Sequence, residues 1–121
     1  IKSSGQQYKN FIGMEDVLMG TEYILENEII NNTKSIYNLG GPRVFRLIDI
    51  AKIIKNILKV RYNINCNIRR ENNSDIVKTF LPFQFSIDKI KKLGFIPIST
   101  EKEIHRTLDY CIQNYNNGST I

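Results

Sequence analysis

The residues near the start of the chain that could do chemistry lie in the segment GQQYKNFIGMEDV, which begins at Gly5. It holds one cation, Lys9, followed by two acids, Glu15 and Asp16, where a helical pattern begins. A lysine can make charge-assisted hydrogen bonds to an anion, but it can also be a solvated surface charge. Carboxylates at the start of a helix complement the helix dipole. These residues alone leave both interpretations of Lys9 open and favour a capping role for the two acids over catalysis.

The sequence offers no recognisable catalytic set. It contains no GxSxG, HExxH or Walker A motif, and no GxGxxG follows a predicted strand. No tyrosine is followed at the fourth position by lysine. Cys66, Cys111 and the single histidine, His105, lack the spacing of zinc ligands. We therefore predict no catalytic residue, no cofactor-binding residue and no metal site in this chain.

The charge balance indicates anionic partners without a nucleic-acid pattern. The 121 residues carry a net charge of +5, which favours phosphate-bearing ligands, anionic lipid or nucleic acid. Lysines and arginines are dispersed, apart from Arg69–Arg70 and the group Lys89, Lys91 and Lys92. No aromatic-rich stacking motif accompanies them, so we expect no nucleic-acid binding.

The sequence also leads to expectations about the cellular compartment and about whether the chain is a fragment. No apolar run reaches the roughly 18 residues needed to span a bilayer, so we expect no membrane partner. The start, Ile1 to Gly5, has no initiator methionine and no signal-peptide pattern. Two cysteines with no partner pattern are typical of reduced thiols. We expect a cytoplasmic protein and a chain that is a fragment or a processed piece.

The hydrophobic pattern predicts a mixed α/β chain that is mostly helical. Helices are predicted where apolar residues recur at helical spacing, and strands where β-favouring or alternating residues stand between polar turns. The predicted helices are Asp16–Glu26, Leu47–Leu58, Ile87–Leu93 and a last helix starting at Thr100, and the extended segments are Phe11–Ile12, Ser35–Leu39 and Asn65–Arg70. A capping box of Thr100 and Glu103 is predicted to open the last helix, with Cys111 buried on its apolar stripe.

Three segments, taken in order, resemble the C-terminal part of the NAD-dependent epimerase/dehydratase family. Members of this family are extended short-chain dehydrogenases/reductases. GQQYKNFIGMEDV is similar to the family's glycine-x-x-x-Arg-Asp-Phe/Tyr-Ile-x-Val-x-Asp segment. YNLGGPRVFRLIDIAKII resembles its Tyr-Asn-Ile-Gly strand and turn with the helix that follows. FSIDKIKKLGFIPISTEKEIHRTLDYC resembles its closing Leu-Gly-Trp-x-Pro segment and final helix. The order and spacing span nearly the whole chain.

The resemblance implies an α/β fold: the C-terminal substrate-binding lobe of an extended Rossmann-type enzyme, mostly helical. Residues 1–121 would form this single lobe, and one or two strands, Ser35–Leu39 among them, would join the parent parallel sheet. The NAD-binding Rossmann part and the Tyr-x-x-x-Lys catalytic set would lie upstream. NAD or NADP would therefore belong to the complete enzyme and not to this segment. A homodimer, where one forms, would use the Rossmann part.

The resemblance also implies four substrate-binding residues. Lys9 falls where the family has an arginine that contacts the phosphates of a nucleotide-diphosphate sugar, although lysine lacks the bidentate fork of arginine. Asn10 replaces the family's usual aspartate. Asp75 falls near a Gly-Asp position of the family, and Arg69 and Arg70 stand before it as further phosphate or ribose contacts. Without the resemblance, these last three residues would be read as a surface ion pair.

The function implied is the substrate-binding part of an NAD(P)-dependent nucleotide-sugar epimerase or dehydratase. One alternative within the superfamily is a protein like dTDP-4-dehydrorhamnose reductase, with which the residues NLGGP are compatible. An alternative of another class is a non-catalytic basic module that binds nucleic acid. The partner expected first is a nucleotide-diphosphate sugar.

Overall fold

The structure of the chain is a computed structural model. It describes residues 1–32, 34–70 and 81–115. Within these ranges the elements follow the order β1 (Tyr8–Asn10), α1 (Met14–Asn31), β2 (Val44–Arg46), α2 (Leu47–Tyr62), α3 (Asp88–Lys91) and α4 (Thr100–Tyr115). About 52% of the described residues are helical, and β1 and β2 pair as a two-stranded antiparallel sheet. The predicted mixed α/β, mostly helical class is confirmed. Within the described ranges, no helix has the length and apolar character needed to span a membrane.

The chain divides into two compact units. The first unit comprises Ile1–Gln7, Arg46–Thr79 and Glu101–Ile121, and the second comprises Tyr8–Phe45 and Phe80–Thr100.

The first unit is organised around α2. The first backbone N–H groups of the helix find acceptors in the N-terminal segment of the chain. The N–H of Leu47 donates to the carbonyl of Gln7 at 3.1 Å, and that of Ile48 donates to the carbonyl of Gly5 at 2.9 Å. Gly5 has a φ of +75°, which favours glycine, and a Cβ there would lie 3.1 Å from the Cβ of Ile48. The helix ends at Asn63 in the left-handed conformation. The predicted helix is confirmed and runs one turn further than expected.

The second unit holds a small apolar core. Ile87, Ile90 and Phe95 are buried, and five half-buried side chains pack against them: Met19, Ile24, Tyr37, Leu39 and Leu93. The short helix α3 is followed by turns that end at Gly94, which has a φ of +103°. This agrees with the predicted short helix closed by a glycine.

Two predicted strands are wrong. Residues 35–39 and 65–70 belong to no strand in the structure. Exposure still alternates along both segments, with Tyr37 and Leu39 packed on the core while Ile36 is exposed. Alternation reports which side chains are buried, whereas a strand also needs a neighbouring backbone to complete a hydrogen-bond ladder. The first strand also lies earlier than predicted, at Tyr8–Asn10 instead of Phe11–Ile12.

The start of α4 differs from the predicted capping box. Thr100 is the first helical residue, it is buried, and its hydroxyl oxygen has no hydrogen-bond partner. A capping side chain must instead stand outside the helix and accept an N–H of its first turn. Cys111, predicted to be buried, is exposed.

Candidate anion-binding site

Lys9 occupies the centre of β1 and is exposed to solvent. Both strands of the antiparallel pair are three residues long, and the Leu47 N–H donates to the Gln7 carbonyl just beyond their ends. This register sets Lys9 opposite Phe45. Directly opposed residues project from the same face of an antiparallel pair. The Lys9 side chain therefore shares a face of the ribbon with Phe45.

A second cation is held on Phe45. The guanidinium carbon of Arg43 lies 4.4 Å from the centroid of the Phe45 ring, in cation–π geometry. Phe45 itself is only 8% exposed, so the ring is a fixed platform. Lys9 and Arg43 thus belong to one face of the β1–β2 ribbon. Sequence reasoning named Lys9 and missed Arg43. The signal available was the β-favouring pair Val44 and Phe45, which follows the Gly-Gly-Pro turn and Arg43.

Asn10 holds the turn that carries Arg43. Its amide nitrogen donates to the carbonyl oxygens of Gly41 at 3.1 Å and Arg43 at 3.3 Å, while its amide oxygen accepts the Gly41 N–H at 2.8 Å. A Cβ at Gly41 would overlap the carbonyl oxygen of Phe11, so the turn approaches the residue after β1 too closely for a side chain at position 41. An aspartate at position 10 could accept but could not donate. The asparagine therefore suits this turn.

Two of the other residues predicted to bind substrate belong to the first unit, and the third lies outside the described residues. Arg69 and Arg70 are exposed members of the first unit, whereas Lys9 belongs to the second. The carbonyl oxygen of Arg69 accepts a hydrogen bond from the α-ammonium group of Ile1 at 2.7 Å. Asp75 lies outside the described residues. Of the four, Lys9 is the residue around which the candidate site is described, and the substrate-binding roles of all four stay predictions.

A polar cluster in the first unit joins α2 to α4. Arg61 pairs with the Asp109 carboxylate at 3.1 Å and donates to Nδ1 of His105 at 3.3 Å. The Tyr62 hydroxyl donates to the same carboxylate, and this hydrogen bond raises the pKa of Tyr62 above its ordinary value. A phenol held in its protonated form is a poor base near neutral pH. The cluster therefore fastens α2 to α4.

The first unit also carries an open groove of about 390 Å³. It is lined by side chains of α2 and α4: Lys52, Ile53, Asn56, Ile57, Glu101 and His105. The lining includes a lysine and a glutamate, so it combines charges of both signs with two isoleucines.

Within residues 1–32, 34–70 and 81–115, no three His, Cys, Asp or Glu side chains are placed to hold a metal ion. Cys66 and Cys111 are free thiols.

No protein-family model matches the chain. The resemblance to the epimerase/dehydratase family therefore rests on the three sequence segments and stays a prediction.

Proposed function

We propose that the chain is the substrate-binding part of an NAD(P)-dependent nucleotide-sugar epimerase or dehydratase, and that Lys9 contacts the nucleotide diphosphate. The observation that carries the proposal is the shared ribbon face of Lys9 and Arg43, of which Arg43 lies over the buried Phe45 ring and Lys9 stands opposite Phe45 in the register. Charge-assisted hydrogen bonds to phosphate are among the strongest that a surface offers. The order of the three family-like segments supports the same assignment.

The two cations complement each other in this role. Lysine is a compact, flexible charge, whereas the planar guanidinium of arginine can hold two phosphate oxygens at once. Stacking on Phe45 restricts the Arg43 side chain before a ligand arrives, and less conformational freedom is then lost on binding. The turn clamped by Asn10 fixes the backbone from which Arg43 projects.

In this proposal the chain binds and orients and does not itself carry out the reaction. The finer fold assignment, a C-terminal lobe of an extended Rossmann-type enzyme, is part of the proposal. NAD or NADP in the complete enzyme would supply the transient oxidation of the sugar. Holding the diphosphate fixes the position of the attached sugar, which is how a remote contact contributes to rate. Arg69, Arg70 and Asp75 are proposed as additional substrate contacts on the strength of the resemblance alone.

Titration calorimetry of the 121-residue protein with UDP-glucose and dTDP-glucose tests the proposal. We expect Lys9→Ala to weaken binding by at least about tenfold, because a hydrogen bond to a charged group contributes roughly 1.5–3 kcal/mol. Arg43→Ala should weaken it similarly. Lys59→Ala is the matched control, since Lys59 is an exposed lysine of α2.

Two results would overturn the proposal. Equal affinities of the Lys9→Ala and Lys59→Ala proteins would remove Lys9 from the site. Binding of random-sequence oligonucleotides with a steep salt dependence, without binding of either nucleotide sugar, would instead support the basic nucleic-acid module.

A further inference from the structure

The β1–β2 ribbon carries charge of one sign. β1, the turn at residues 40–43 and β2 contain three cations, Lys9, Arg43 and Arg46, and no aspartate or glutamate. Arg46 donates to both carboxylate oxygens of Asp49, at 2.7 and 2.9 Å, so an acid of α2 already pairs with this cation. Lys9 and Arg43 are therefore the two cations that the ribbon brings to a phosphate in the proposed function.

The Phe45 ring supports one of these cations. The ring is only 8% exposed, and the guanidinium carbon of Arg43 lies 4.4 Å from its centroid. The contacts proposed for Lys9 and Arg43 are contacts to phosphate, and they need neither the sugar nor the base. A ligand that keeps the diphosphate and lacks the sugar therefore keeps both contacts.

Loss of the sugar also changes the charge of the ligand. In a nucleotide-diphosphate sugar both phosphates are esterified, and each carries a single negative charge. In a free nucleoside diphosphate the terminal phosphate has no sugar ester and loses a further proton at about pH 6. At neutral pH the free nucleoside diphosphate thus presents one more negative charge and one more unsubstituted oxygen to the same two cations.

We propose that the site of Lys9 and Arg43 binds free nucleoside diphosphates more tightly than nucleotide-diphosphate sugars at neutral pH, so that a free nucleoside diphosphate is a competing, inhibitory ligand of this site. The inference rests on the proposed function, because it uses the same two cations. It adds a regulatory ligand and a reason for the order of the two affinities.

The preference for the free nucleoside diphosphate should disappear in acid. Histidine is the side chain that ordinarily changes charge between about pH 5 and 8, and β1, the turn and β2 contain none. The single histidine of the chain, His105, lies on α4 in the first unit, whereas Lys9 belongs to the second. A change in the ratio of the two affinities across this range therefore reports the proton on the terminal phosphate.

Titration calorimetry of the 121-residue protein with UDP and with UDP-glucose, at about pH 7.5 and about pH 5, tests the inference. We expect UDP to bind several-fold more tightly than UDP-glucose at the higher pH, because one further charge faces the two cations. The two affinities should agree within about twofold at the lower pH. Addition of UDP should raise the apparent Kd of UDP-glucose, as one shared site requires.

Three variants tie these affinities to the ribbon. Lys9→Ala and Arg43→Ala should each weaken UDP binding by at least about tenfold and should reduce the preference for UDP. Lys59→Ala, which removes an exposed lysine of α2, should change neither. Circular dichroism confirms that each variant is folded.

The outcomes separate the inference from the proposed function. If UDP-glucose binds through Lys9 and UDP binds more weakly at the higher pH, the inference is wrong and the proposed function stands. A preference for UDP that persists at the lower pH, or UDP that does not displace UDP-glucose, would likewise overturn the inference alone. If neither ligand binds, or if Lys59→Ala weakens binding as much as Lys9→Ala does, the proposed function fails together with it.

Discussion

The carboxylate of Asp16 accepts the backbone N–H of Ile98 with both of its oxygens, at 3.1 and 2.9 Å. The two residues stand 82 positions apart in the chain. Asp16 lies in the first turn of α1 and is completely buried. Its carboxylate therefore ties the start of α1 to the segment that precedes α4, in addition to any effect on the helix dipole. A buried carboxylate needs such a partner, because its burial is otherwise costly.

Removing this acceptor should destabilise the protein. We expect Asp16→Ala to lower the free energy of unfolding by about 1–3 kcal/mol, because the N–H of Ile98 would be left unsatisfied. Asp16→Asn keeps one acceptor oxygen and should cost less. Urea unfolding followed by circular dichroism measures both. Glu22→Ala, an exposed acid on the same helix, should change stability by no more than about 0.5 kcal/mol. Equal stabilities of the Asp16→Ala and Glu22→Ala proteins would contradict the role given to Asp16.

The asparagine at position 10 should not be replaceable by the aspartate that is usual in the resembling family. Asn10→Asp loses the two donations to the carbonyls of Gly41 and Arg43 and sets a carboxylate against both oxygens. We expect a loss of about 1–3 kcal/mol in the free energy of unfolding, measured by urea titration. Nucleotide-sugar affinity should fall as well, because the turn that carries Arg43 is released.

Asn56→Asp is the matched control for that change, since Asn56 is an exposed asparagine of α2. It introduces the same charge without breaking either contact of the turn. If both substitutions destabilise equally, the added charge and not the broken hydrogen bonds is responsible.

The contact between Tyr62 and Asp109 should make stability depend on alkaline pH. The hydrogen bond to Asp109 raises the pKa of the folded-state phenol above its ordinary value of 10.0. The stability this adds is fully present below the unfolded-state pKa and is lost as the pH rises through the folded-state pKa. We expect the free energy of unfolding to fall as the pH rises above the ordinary tyrosine pKa of 10.0, with a smaller fall in Tyr62→Phe. Tyr110→Phe, an exposed tyrosine of α4, should retain the full dependence.

The sequence predicts best those elements whose contacts join residues close together in the chain. The helix that became α2 was predicted from its apolar stripe, because helical contacts join residues three and four positions apart. Ser35–Leu39 shows the opposite case. Buried and exposed side chains do alternate along this segment, but the sequence of the segment does not show whether a second strand pairs with it. Cys111 fits the helical stripe of α4 and is nevertheless exposed, because a stripe does not say how much of its length another element covers.

The candidate site also combines features that local sequence predicts with contacts that depend on the tertiary structure. The sequence by itself determined that Lys9 stands in a short segment before a helix, that a Gly-Gly-Pro turn follows later, and that the chain is mostly helical. Only the tertiary structure decided that Lys9 pairs opposite Phe45, that Arg43 stacks on that ring, and that Asn10 clamps the turn between them. The tertiary structure also decided that the carboxylate of Asp16 accepts the backbone N–H of Ile98. The pairing of Lys9 with Phe45 and the contacts of Asn10 and Asp16 join groups far apart in the chain, so these partners meet only once the chain has folded. Arg43 and Phe45 are two positions apart, but the ring becomes a fixed platform only when it is buried.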